Sequence, residues 1–459
     1  MNHIPLTNSH IVAAFEARTR KSKARHLRAR NVFPSGVVHD SRHMWPYPVY
    51  VERAEGCRKW DADGNELIDF YGGHGSLLLG HAHPSLVKAV TEQIGRGTHP
   101  AACHEAEITW GELVKQLIPS AERVRFTSSG TEANLLGIRL ARAYTGRKKL
   151  MRFKHHFHGW QDHVAFGSKF HAGITDVPGV LPGIVENVIV ADPADPDAVR
   201  KTLETDPDIA AVIVEPTGAG SGQVPLGREF ARMLRDVTEA QGIVLIFDEV
   251  VTGFRVSPGG AQAAWGIFPD LTGLAKILAG GLPAGAVVGR REIMRHLDFE
   301  AAEKDGFGKI PHQGTFNANP LSAAAGIAML DLVSESDPTE RANAQGEKLV
   351  AAWNKVFSEA DVAWAAYGQG SSIYIFTNPD GRDIDPLTFD ARAMPLDVMA
   401  AAGGHPAAAL FRLALLVNGV DISSKPGLIV SAVHGDDDIA ASAHALEAAL
   451  AMLRAEDLL

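Results

Sequence analysis

Five consecutive apolar residues, Ile243 to Phe247, end abruptly in the acid Asp248. A run without polar alternation fits a strand covered on both faces, as in the middle of a parallel sheet. The carboxyl ends of such strands are where open α/β sheets hold their ligands, so the sheet that buries this run also sets Asp248 and Glu249 at a binding edge. Lys276 follows in DLTGLAKILAGGLPAG, among Leu274, Ala275, Ile277 and Leu278 and ahead of two glycines. A lysine in such surroundings either carries its ammonium out to water or is held uncharged, and an uncharged amine is a nucleophile.

The texture on either side extends the argument. From Val124 onward, strand-like runs (VRFT, KLMRF, VIVAD, AAVIVEP, GIVLIFDE, AVVG) alternate with helical ones. That alternation predicts α/β architecture with a mostly parallel sheet under helices. Residues 1–75 read as a basic helix and a small β-meander turning at Asp63-Gly64, residues 76–320 as the large α/β unit, and 321–459 as a smaller C-terminal unit. The length of 459 residues suits two or three domains. Polar residues 378–395 read as an exposed insertion.

Composition narrows the function class. A formal charge of −10 argues against a nucleic-acid surface. Two cysteines make neither a disulfide framework nor a thiolate metal cluster, which fits a reducing, cytoplasmic setting. No apolar run is long enough to span a bilayer. His155, His156, His158 and His163 form a dense cluster, but no carboxylate or cysteine spacing supports a metal. Phe157-His158-Gly159-Trp160 reads better as an aromatic platform for a flat ring.

Ser129-Gly130-Thr131-Glu132 joins a strand to a helix. Ser129 and Glu132 make a capping box, and the first free N–H groups of the helix form a site suited to phosphate. Capping alone explains the pattern about as well. GAGSGQVPLG at 218–227 reads as a loop. Phosphate loop, strand-end Asp and apolar lysine, in that order on an α/β pattern, are the parts of a pyridoxal phosphate site. A pyridinium nitrogen keeps its proton beside a carboxylate, and a reactive lysine can hold the cofactor covalently.

SSGTEAN, FHGW, VIVEPTGAG, FDEVVTGFR, DLTGLAKILAGGLPAG and HQGTFNANP together resemble the class III, fold type I, pyridoxal phosphate-dependent aminotransferases, in the branch holding glutamate-1-semialdehyde aminomutase. The resemblance implies a mostly parallel seven-stranded sheet in the large domain and a smaller α+β domain from the two ends of the chain. It implies that Lys276 is the Schiff-base lysine and that Asp248 pairs with the ring nitrogen. Ser129, Gly130 and Thr131 would hold the phosphate, with Phe157 stacked on the ring and His158 beside it. Glu215 would lie near cofactor and substrate. Thr315 would reach the phosphate of a neighbouring subunit in a homodimer. Arg42 matches the arginine that receives a substrate carboxylate, a task suited to a guanidinium fork.

Three departures bear on the substrate side. His74 stands in place of a tryptophan, Phe157 in place of a tyrosine, and Gly220 in place of an asparagine. FYGGHGSLLLGHAHP and NGVDISSKPGLIVSAVHGDDDI look more like D-phenylglycine aminotransferase. The expectation is therefore transamination between an amino acid (D-, aromatic or β-) and a keto acid such as 2-oxoglutarate. A 2,1-aminomutase is the alternative, and a catalytically silent binding protein the remote one.

Overall fold

A computed structural model describes residues 9–168, 177–423 and 426–459. The N-terminal segment opens with two helices, His10–Arg18 and Arg20–Ala29, rather than one continuous basic helix. Thr19 separates them, its hydroxyl donating back to the Phe15 carbonyl. Strands β1 (Val51–Glu55), β2 (Arg58–Asp61) and β3 (Glu66–Asp69) form the expected antiparallel meander.

Strands β4 (Arg123–Thr127), β5 (Lys149–Phe153), β6 (Val188–Ala191), β7 (Ile209–Val214), a short β8 (Val224–Pro225), β9 (Val244–Asp248), β10 (Leu271–Ala275) and β11 (Gly285–Gly289) follow. All but β8 join one sheet of seven strands in the order β4-β11-β10-β9-β7-β5-β6. β11 runs antiparallel to both its neighbours, and the other pairings are parallel. The run at 243–247 is a central strand, fully buried on both faces. Apolar clusters fill both sides of the sheet, Leu136, Ile213 and Ile246 on one and Val212, Leu245 and Phe247 on the other.

The C-terminal segment adds β12 (Ala365–Gln369), β13 (Ser372–Phe376), β14 (Val420–Asp421) and β15 (Gly427–Ile429). β12, β13 and β15 make a small antiparallel sheet. β14 pairs in parallel with β3 of the N-terminal meander. Ile11 and Phe15 share one core with Trp353, Phe411 and Leu446, so the two ends of the chain are packed together. The 378–395 segment is mostly exposed, as its polarity suggests, and is pinned by a few apolar residues: Phe389 stacks on Phe376 at 5.1 Å, Ala391 is buried, and Ile384 and Met394 pack against the same cluster.

His434 is buried in this half and stacks on Phe70 at 4.5 Å, with Nδ1 at 2.8 Å from Ser431 Oγ. Burial pushes its pKa down to about 4 from an ordinary 6.5. The unfolded chain therefore takes up this proton first as pH falls. The stabilisation is complete above about pH 6.5 and is lost toward pH 4, amounting to about 3 kcal/mol. Denaturant titrations across that range are expected to show His434→Phe, which keeps the stack, losing less stability on acidification than the parent. Equal slopes for the two proteins would contradict this.

Candidate active site

The strand ends of the large sheet bring together residues far apart in sequence. Ser129 caps the helix Gly130–Thr145, its Oγ accepting from Glu132 N at 3.2 Å. Glu132 reaches back to Ser128 N at 2.8 Å, one residue outside the usual capping box. Capping thus uses the Ser129 side chain and leaves the N–H groups of the first turn directed outward for an anion. Gly130 is packed so closely that a Cβ there would lie 2.8 Å from Val250 Cγ2. A Cβ at Gly159, where φ is +104°, would lie 2.6 Å from Thr131 Oγ1. The segment carrying Phe157 and His158 is therefore laid directly against the candidate phosphate loop.

Asp248 ends β9 almost fully buried. Its Oδ2 accepts from His158 Nδ1 and Asn134 Nδ2, both at 2.8 Å. Its Oδ1 accepts the Val250 N–H at 3.1 Å. Among the described residues Oδ1 has no second donor, so it keeps a lone pair for a ring N–H. Asn134 also donates to the His158 carbonyl at 3.2 Å, fixing that histidine from both ends. Sequence reasoning missed Asn134. Its available signal was position, one helical turn beyond the capped start of its helix and so above the end of β9. Glu249, next to Asp248, is structural: its buried carboxylate accepts from Thr252 Oγ1, from Ala261 N, and from Gln262 N and Nε2.

The histidine cluster separates. His156 Nδ1 accepts from Glu215 N at 3.1 Å, while His158 turns to Asp248. Beneath them Arg152, fully buried, donates to the carbonyls of Val164, Phe166 and His156. Glu215 is buried at the end of β7, and its carboxylate accepts from Phe157 N at 2.9 Å, Gly220 N at 3.1 Å and Ser221 N at 2.8 Å. The 218–227 stretch is thus more than a loop. Its one-turn helix Ala219–Gly222, left-handed at Gly220 and Ser221, is tied to the same carboxylate that holds Phe157. Three positive-φ residues in succession, Gly220, Ser221 and Gly222, concealed this from a reading of pattern alone.

Lys276 follows β10 with φ of +54°, a left-handed conformation costly for a side chain with a Cβ. Its Cδ lies 3.8 Å from where a Cβ on Gly75 would sit. The adjoining His74 feels the charges of Arg42 and Lys276. Arg42 is exposed on a 3₁₀ turn, Asp40–Arg42. The structure therefore brings His74, Arg42 and Lys276 into one neighbourhood. Thr315 lies on an exposed turn, and no hydrogen bond joins it to these residues within one chain.

The donor set fits an aromatic phosphate with a protonated ring nitrogen: an open helix N-terminus, a buried carboxylate with capacity to spare, and an amine at the end of the next strand. The class III aminotransferase family matches residues 39–385. This chain belongs to that family. It is a pyridoxal phosphate-dependent enzyme of fold type I. Glutamate-1-semialdehyde 2,1-aminomutase of Methanopyrus kandleri is 43% identical over 71% of this chain and 75% of its own length. Glutamate-1-semialdehyde 2,1-aminomutase 2 of Brevibacillus brevis is 37% identical over 91% and 95%. A solved structure described as a transaminase with PLP bound superposes with a TM-score of 0.83 at 34% identity, over 95% of this chain and 99% of that one.

The curated relatives correct the expectation of transamination between an amino acid and a keto acid. That expectation rested on departures at His74, Phe157 and Gly220 and on segments that look more like D-phenylglycine aminotransferase. The departures leave Lys276, Asp248 and the Ser129–Thr131 turn in place. Three positions and two short segments weigh less than identity along most of the chain to proteins named for the aminomutase reaction. Among the described residues, no helix is long and apolar enough to cross a membrane.

Proposed function

We propose that this chain is a 2,1-aminomutase acting on an α-amino aldehyde that bears a remote carboxylate, such as glutamate 1-semialdehyde. The observation that carries the reading is the group of curated relatives named for that reaction, at 35–43% identity over 70–91% of this chain. Pyridoxal phosphate, when bound, draws electrons away from the carbon bearing the substrate nitrogen. In this reading, backbone N–H groups from Ser129, Gly130 and Thr131 hold its phosphate at the helix N-terminus. Asp248 holds the proton on its ring nitrogen. His158 and Asn134 keep that carboxylate in place. Phe157 lies against the ring, and Glu215 keeps Phe157 there. Lys276 holds the cofactor through Nζ and, once displaced, carries a proton on Nζ between the two neighbouring carbons. Arg42 receives the remote carboxylate and His74 lines the substrate side. A second copy of the chain supplies Thr315 to the phosphate, in keeping with the exposure of that turn and of Phe316 beside it.

The test is stoichiometry. Purified holoenzyme given 4-amino-5-oxopentanoate alone is expected to form 5-amino-4-oxopentanoate through many turnovers, with no stimulation by 2-oxoglutarate or pyruvate. Turnover that stops after one equivalent and resumes on adding a keto acid would overturn the proposal.

A further inference from the structure

The turn that carries His74 is held more firmly than a loop on the substrate side requires. Gly73, His74 and Gly75 are all left-handed, at φ of +57°, +60° and +90°. At its start, Asp69 Oδ1 accepts from Tyr71 N at 2.9 Å and Gly72 N at 3.3 Å, and from Lys59 Nζ at 2.8 Å. At its end, the fully buried Arg255 donates to the Gly75 carbonyl at 2.8 Å.

Within this frame the His74 ring meets a second turn. Ser41 Oγ lies 2.8 Å from His74 Nε2, 2.9 Å from His39 Nδ1 and 3.1 Å from Tyr71 OH. Proton counting decides the directions. His39 Nδ1 already accepts the Ser41 N–H at 3.2 Å, which uses its one lone pair. Tyr71 OH is nearest Ser41 Oγ, at 3.1 Å against 3.3 Å to both His74 Nε2 and the Ser41 carbonyl, so its proton goes to Ser41 Oγ. The single proton of the Ser41 hydroxyl is then left for His74 Nε2. A neutral imidazole that accepts at Nε2 carries its proton on Nδ1. Burial, together with the neighbouring cations Arg42, Lys276 and Lys59, pushes the His74 pKa down to about 4, so the ring holds one proton near neutrality. Nδ1 has no hydrogen-bond partner among the described residues.

Resting on the reading of His74 as a substrate-side residue, we propose that Ser41 and Tyr71 are positioning residues. They hold the His74 ring in the Nδ1–H tautomer, which donates to a carbonyl or carboxylate oxygen of the substrate beside Lys276. A substrate offering only an apolar group there would leave a donor without an acceptor, a loss that discriminates against it.

The experiment uses holoenzyme labelled with ¹⁵N-histidine, whose ring shifts report which nitrogen is protonated. The His74 signals are identified by their loss in His74→Gln. The parent is expected to show Nδ1–H, with the Nδ1 signal moving when substrate binds. Ser41→Ala is expected to shift the ring toward Nε2–H and to raise KM roughly tenfold with kcat within about twofold, since the contact is made equally in ground and transition states. Ser41→Thr, which keeps the hydroxyl, is expected to restore both. An Nε2–H ring in the parent, an unchanged tautomer in Ser41→Ala, or Ser41→Thr as impaired as Ser41→Ala would overturn the proposal. The spectrum is read without turnover, so failure of the mutase reading shows separately, as absent conversion by the parent protein.

Discussion

Lys276→Ala is expected to lower turnover by about 10⁴-fold or more while leaving the protein folded. The backbone conformation at this position is imposed by its surroundings. β10 before it is fully buried, Ile277, Leu278 and Ala279 after it are buried, and the φ of +54° persists because both flanks are fixed. A strained backbone that the surrounding packing over-determines is a mark of functional sites. Alanine tolerates that conformation no worse than lysine, so the thermal midpoint should move little. What disappears is Nζ, which in the proposed function is both the covalent hold on the cofactor and the carrier of the substrate proton. Lys276→Arg is expected to be equally inactive, because a guanidinium stays protonated and cannot act as a nucleophile. Turnover and the visible absorption of the lysine-bound cofactor give the measurements. Residual activity within a hundredfold of the parent would mean that the reaction does not depend on this amine.

The second large effect is expected at Asp248→Asn, with turnover falling on the order of 10³-fold. The carboxylate is buried and accepts three hydrogen bonds. An amide of the same shape keeps one oxygen, which can serve either His158 and Asn134 or the Val250 N–H, but not all of them. Its NH₂ group then faces a donor, which costs about 1–3 kcal/mol of stability. More important, a neutral amide cannot keep a proton on a ring nitrogen at neutral pH. Denaturant titration measures the first effect and single-turnover kinetics the second. A drop of less than tenfold in the chemical step would rule out a role for the charge. The losses from Lys276→Ala and Asp248→Asn should not add in the double variant, because both residues serve one reacting system.

The large domain was legible because its signals are local. The unbroken apolar run at 243–247, the alternation of strand and helix, and the Ser129 cap each follow from residues close together in sequence. The strand-end rule pointed only to Asp248, and Lys276 joined it through the ordered parts of a pyridoxal phosphate site and the family resemblance. The supports around them were less legible. Asn134 reaches Asp248 across two elements, and Glu215 gathers Phe157, Gly220 and Ser221 through backbone N–H groups that carry no residue signature. Arg152 is spent on carbonyl oxygens and Arg255 on two carbonyl oxygens and the Ser371 hydroxyl, so a search for charge pairs passes over them. The reaction was the least legible part, because transamination and amino migration call for the same kinds of residue, an imine-forming lysine, a carboxylate for the ring nitrogen and a phosphate site, so these residues do not tell the two apart.

The pairing of β3 with β14 gives the chain an order of assembly. During synthesis the seven strands of the large sheet have all left the ribosome while β3 still lacks its neighbour. A nascent chain in that state can already present the helix N-terminus, Asp248 and Lys276. The strand beside Tyr71 and His74, and the buried Asp421 that pairs with Lys59, arrive only near the end of translation. In the function proposed above, the residues of this chain that would hold the cofactor are thus in place before the substrate side is finished. Chains truncated ahead of β14 are expected to retain cofactor and lack selectivity.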